Sequence, residues 1–145
     1  MTANPPPPPP KCAGKTATIV AAAGQKTVNG TARSDVIVGA SGAETIDGRG
    51  GNDVICAGKG NDTVRGGAGK DTIRGEGGKD RLYGDNGNDL VIGGSGADRL
   101  FGGSGKDRVR AAGGGADRID CGPGPGRDDV QMDRLDRQKR CESVR

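Results

Sequence analysis

Aliphatic side chains fall on a nine-residue step along most of the chain: Ile19, Val28, Ile37, Ile46, Ile55, Val64, Ile73, Leu82, Val91, Leu100 and Val109. After longer intervals the series reaches Ile119 and Val130. From Asp35 onward a carboxylate stands two residues before each aliphatic: Asp35, Glu44, Asp53, Asp62, Asp71, Asp80, Asp89, Asp98, Asp107 and Asp117. Before Ile19 and Val28 the acid is replaced by Ala17 and Lys26. Each unit reads as a six-residue glycine-rich turn and a three-residue strand whose middle side chain points inward, because alternate strand side chains face opposite ways. Three residues cannot hold a strand alone. Successive units must therefore stack, each strand pairing with the one two units on, and the chain winds as a solenoid of about 18 residues per coil.

The pattern predicts an all-β fold, a right-handed parallel β-roll of two sheets. One sheet turns Ile19, Ile37, Ile55, Ile73, Val91 and Val109 inward, and the other Val28, Ile46, Val64, Leu82, Leu100 and Ile119. The roll is expected over residues 17–120, after a Pro-rich leader and N-terminal cap (1–16) and before an irregular, disulfide-closed C-terminal cap (121–145).

Composition agrees with a thin, repeated core. The 145 residues include 30 Gly, one Tyr, one Phe, no Trp and no His, and only 30% are hydrophobic, too few large side chains for a thick interior. With 22 basic and 19 acidic residues, net +3, the charge is too balanced for a dedicated nucleic-acid binder. No stretch is long and apolar enough to cross a membrane, and "MTANPPPPPPK" shows no signal-peptide h-region. The proline run at 5–10 reads equally as a stiff spacer or as an unstructured leader after a processed signal.

Four cysteines without a CxxC pair, and with no His to share a zinc, favour disulfides and an oxidising compartment. Val36, Val38, Val54 and Cys56 form an apolar outer face that wants a cover. Pairing Cys12 with Cys56 would lay the N-terminal segment across it, and Cys121 with Cys141 would close the C-terminal cap. The other sheet shows Arg81, Tyr83, Arg99 and Phe101 outward, a basic face holding both aromatic residues.

The units "GGAGKDTIR", "GGSGADRLF" and "GGSGKDRVR" resemble the G-G-x-G-x-D-x-U-x nonapeptide of RTX, or haemolysin-type, calcium-binding repeats. The resemblance covers roughly residues 30–120. It implies a parallel β-roll with several Ca²⁺ ions between coils, held by Asp carboxylates and backbone carbonyls. One ligand column would be Asp35, Asp53, Asp71, Asp89 and Asp107, and the other Glu44, Asp62, Asp80, Asp98 and Asp117. Independently of the family, carboxylates stacked about 4.8 Å apart repel, and a hard cation accepting six to eight oxygens relieves that. Lys70, Lys79 and Lys106 precede the acid where Asn52, Asn61 and Asn88 do so elsewhere, so some sites are expected to be weak or empty. The cysteines and the ending "RCESVR" resemble RTX-type proteins of Gram-positive bacteria.

Rival motifs are poorer fits. "CAGKT" at 12–16 lacks the leading glycine of a phosphate loop and no helical pattern follows it. "DNGND" at 85–89 lacks the loop glycine and distal Glu of an EF-hand. The sequons at Asn29 and Asn61 read as chance spellings in a Gly/Asn/Thr-rich repeat. Without His or a free thiol, nothing suggests catalysis. The expectation is a secreted, monomeric calcium-binding module and not an enzyme. The alternatives are a surface binder of an acidic polysaccharide or cell-wall polymer, or a carrier module of a secreted enzyme.

Overall fold

The nine-residue units become the rungs of two parallel ladders. In the computed structural model, which describes residues 3–111, 113–123, 127–141 and 143–144, one sheet holds eight strands. These are Ile19–Val20, Val36–Val38, Val54–Lys59, Thr72–Gly77, Leu90–Ser95, Arg108–Arg110, Asp129–Gln131 and Ser143–Val144. The other holds seven: Thr27–Asn29, Thr45–Asp47, Thr63–Ala68, Arg81–Asn86, Arg99–Ser104, Arg118–Asp120 and Arg137–Lys139. The chain alternates between the sheets, so each strand pairs with the next but one. Ile37, Ile55 and Ile73 sit side by side in register, as do Val64, Leu82 and Leu100. No helix occurs among the described residues.

The inward aliphatics form the expected two-file core. Ile37, Ile46, Ile55, Val64, Ile73, Leu82, Val91, Leu100 and Val109 are fully buried, and Val28 and Ile119 nearly so. Each coil contributes only two large side chains, so the main chain must satisfy its own polar groups almost completely. It does this by extending the ladder through the turns. Where three-residue strands were expected, those from Val54–Lys59 to Arg99–Ser104 are six residues long. The turn residues stack in register and bond across coils: the Gly60 N–H donates to the Gly77 carbonyl at 2.8 Å and the Gly78 N–H to the Ser95 carbonyl at 2.9 Å.

This stacking dictates one glycine column. At Gly78 the backbone is left-handed (φ 127°), and a methyl would overlap the carbonyl oxygen of Gly60 below; Gly96 (φ 130°) repeats the arrangement over Gly78. No other residue fits there.

The apolar outer face is covered. A hairpin of Lys11–Cys12 and Lys15–Thr16 leaves the solenoid path, and the Cys12–Cys56 disulfide (Cα–Cα 5.7 Å) clamps it. Cys12, Val54 and Cys56 are buried there, with Val36 and Val38 packed against them. At the other end Cys121 joins Cys141. Within the segment expected to be an irregular cap, residues 121–145, the ladder goes on: Val130 is fully buried beside Val109, and Gln138 lies beside Ile119. The longer turns after Arg110 and Asp120 absorb extra residues without shifting the pairing.

Candidate metal sites inside the turns

The repeat carboxylates point into the turns rather than into solvent. All ten sequence-predicted ligands are buried, the most accessible being Asp35 at 7%. They form two columns, as the spacing implied, and within each column one oxygen is already committed. Asp53 Oδ1 accepts the backbone N–H of Asp35 at 2.8 Å, Asp71 that of Asp53, Asp89 that of Asp71, and Asp107 that of Asp89. In the second column Asp62, Asp80, Asp98 and Asp117 accept from Glu44, Asp62, Asp80 and Asp98 in the same way. Each aspartate therefore satisfies the main chain one coil earlier. This is a structural duty separate from any metal.

The second oxygen differs. Oδ2 of Asp53, Asp62, Asp71, Asp80, Asp89, Asp98, Asp107 and Asp117 is buried and has no hydrogen-bond partner. A buried carboxylate oxygen left unsatisfied costs on the order of 1–3 kcal/mol, and more when charged. Eight in two columns are not an accident of packing.

These oxygens line a space that only glycine leaves open. A Cβ placed on Gly66 would stand 2.5 Å from Asp71 Oδ2 and 2.8 Å from the carbonyl oxygen of Gly84, one coil on; at Gly102 the neighbours are Asp107 Oδ2 (2.7 Å) and the Cys121 carbonyl (2.8 Å). Carboxylate and carbonyl oxygens thus converge, a donor set suited to a hard cation. No group of three or more carboxylates converges among the described residues, so the rest of a calcium shell would have to come from backbone carbonyls and water. Before Asp62 and Asp117 the corresponding residues are Ala57 and Ala111, both fully buried, which put a methyl where Gly48, Gly66, Gly75, Gly84, Gly93 and Gly102 have only hydrogen.

Burial disfavours the ionised form throughout. It pushes the carboxyls of Asp80 and Asp89 up to about 7 and those of Asp53 and Asp117 up to about 6. The backbone N–H bond pulls each back in part, and neighbouring carboxylates of the column push further up. Asp62, Asp71, Asp98 and Asp107 are raised for the same leading reason.

The N-terminal ends of the columns are closed differently. Asp35 Oδ2 accepts both the N–H (2.7 Å) and the hydroxyl (2.8 Å) of Thr31. Glu44 accepts the N–H groups of Ala40 and Gly42. These two predicted ligands have hydrogen bonds where the eight aspartates have none. At the far end, two acids absent from the sequence-predicted ligands extend the columns: Asp128 Oδ1 accepts from Asp107 and Asp136 Oδ1 from Asp117. Asp128 stands two before Val130, a signal the spacing did carry; Asp136 precedes Gln138, so the aliphatic marker is missing. The lysines before the acid do not enter the turns. Their side chains are exposed, and the N–H groups of Lys70, Lys79 and Lys106 donate to the Oδ1 of Asn52, Asn61 and Asn88 one coil earlier.

Comparison with curated proteins finds no match. The sequence profile of the RTX calcium-binding nonapeptide repeat does match, in four copies over residues 27–55, 57–91, 75–109 and 92–126. Together these take in most of the chain and every turn that carries an unpartnered Oδ2. The chain belongs to the RTX calcium-binding nonapeptide repeat family.

Proposed function

We propose that the chain is an extracellular calcium-binding module, not an enzyme, in which ions between coils stabilise and stiffen the roll. The observation that carries this reading is the pair of columns of buried, unpartnered Oδ2 atoms. Asp53, Asp71, Asp89 and Asp107 would hold ions on one edge, and Asp80 and Asp98 on the other. Asp62 and Asp117, whose turns carry the Ala57 and Ala111 methyls, would be the weakest of the eight. Asp35 and Glu44, already hydrogen-bonded, would end the columns without a cation. A bound divalent cation supplies positive charge to oxygens the fold has desolvated, removing the cost of their ionisation. Two disulfides fit an oxidising, extracellular setting, where calcium modules work with dissociation constants of about 10⁻⁴ to 10⁻³ M.

The test is calorimetric titration of metal-free protein with CaCl₂ and, separately, MgCl₂, with circular dichroism in parallel. Saturable calcium binding that raises the melting temperature, with a much weaker response to magnesium, is expected. An unchanged melting temperature at saturating calcium would refute the reading.

A further inference from the structure

The outer face of the seven-stranded sheet carries a charge pattern that calcium binding does not use. Strand pairing sets Arg81 beside Arg99, Arg99 beside Arg118, and Arg118 beside Arg137. All four are exposed. None has an ion pair among the described residues. The acids on their own strands are engaged elsewhere: Asp85 bonds Arg65 at 3.1 Å, and Asp120 bonds Arg140. Unit charges about 4.8 Å apart repel by roughly 1 kcal/mol in water. The fold gains nothing from accepting this at three successive contacts.

The shape beside the ladder is open. Next to Arg99 and Arg118 lie the small residues Ala97 and Ala116, and with Lys79 and Arg81 they line a groove of about 530 Å³ along the stacking direction, whose inner side is formed by the repeat carboxylates Asp62, Asp80 and Asp98. On the opposite side of the ladder, Phe101 stacks on Tyr83 (centroids 4.6 Å apart, planes within 4°), and the Arg65 guanidinium lies over Tyr83 at 5.5 Å. Tyr83 is therefore engaged on both sides. Phe101 borders a second hollow, shared with Arg99, Arg118 and Arg137.

We propose that the ladder Arg81, Arg99, Arg118 and Arg137, with Phe101 beside it, is a docking strip for a linear acidic polysaccharide bearing one carboxylate per sugar. Guanidinium groups bind carboxylates through paired N–H donors, which the planar fork favours. Four guanidinium groups in one file, none of them in an ion pair among the described residues, complement a polymer that carries carboxylates along its length. A DNA strand advances about 3.4 Å per phosphate in a duplex, out of step with rungs about 4.8 Å apart. The Phe101 ring offers an apolar surface for the face of one sugar.

The probe is a uronate hexasaccharide, too short to gel with calcium, titrated into calcium-loaded protein by calorimetry at low salt. Its carboxyl-reduced counterpart and a short DNA duplex are the comparisons. The expected result is binding of the uronate only, with Arg99→Gln/Arg118→Gln weakening it more than about tenfold and Arg74→Gln/Arg110→Gln, the same charge change on the other sheet, leaving it within about twofold. Arg99→Lys/Arg118→Lys, which keeps the charge and loses the fork, should weaken binding to an intermediate degree. Circular dichroism confirms that each variant is folded. Absence of uronate binding, equal losses in the two glutamine variants, or tighter binding of DNA would each overturn the proposal.

Discussion

Raising the pH should weaken the metal-free roll and strengthen the response to calcium. The ordinary Asp value of 3.8 rises to about 7 at Asp80 and Asp89, mainly because burial disfavours the charge. Below about pH 4 the folded and unfolded chains both hold these protons, and the roll has its full stability. Between about pH 4 and 7 the unfolded chain releases protons that the folded chain keeps, so stability falls as the pH rises through the folded value. Each of the two shifts corresponds nominally to about 4 kcal/mol; screening by water at the turn edge brings this to about 2 kcal/mol each. The pair then withdraws about 4 kcal/mol from a domain whose total is on the order of 5–15 kcal/mol, a fall of roughly 10–20 °C in melting temperature. Calcium binds the ionised form and competes with the proton. At about 10 mM free calcium each occupied site returns about 1.4–2.7 kcal/mol near pH 8, and less in acid. The assay is thermal unfolding by circular dichroism at about pH 5, 6.5 and 8, in metal-free buffer and with calcium. Asp80→Asn should raise the metal-free melting temperature at the highest pH and shrink the calcium increment. A metal-free melting temperature that is flat or rising from pH 5 to 8 would refute the premise that these carboxylates are desolvated.

Other consequences concern the scaffold. Glu76 and Asp85 hold left-handed backbone (φ 73° and 72°) at the position where other units have Gly58, Gly67, Gly94 and Gly103. Glu76→Gly should therefore stabilise by about 0.5–1 kcal/mol in chemical denaturation, whereas Asp85→Gly, which also loses the Arg65 pair, should give less or nothing. Gly96→Ala forces a methyl onto the Gly78 carbonyl and should cost more than about 2 kcal/mol or disrupt the stack; a neutral result would mean that the coils can separate there. Replacing both Cys12 and Cys56 with Ser opens a link across 44 residues and should cost about 2–4 kcal/mol, with faster hydrogen exchange confined to the N-terminal hairpin and the strands it covers.

The sequence alone determined whatever repeats within nine residues. Because inward and outward positions alternate along each short strand, Ile37, Ile55 and Leu82 could be assigned to the core from spacing. The regular 18-residue return then implied which strands pair. It also exposed the apolar patch at Val36, Val38 and Val54, and with it the Cys12–Cys56 clamp. What the spacing could not hold is how each carboxylate divides its two oxygens. That depends on the neighbouring coil, where one oxygen meets an N–H and the other faces the space beside a glycine. Asp35 shows this most plainly: it matches the motif as well as Asp53 does, yet Thr31, four residues earlier, takes the oxygen that Asp53 leaves bare. The lengthened turns hid Asp136 because a hydrogen-bonded ladder keeps its register in space while the residue count drifts. The 18-residue return did place Tyr83 beside Phe101; what it could not hold is that the two rings lie parallel and face to face, which depends on how the neighbouring coils pack.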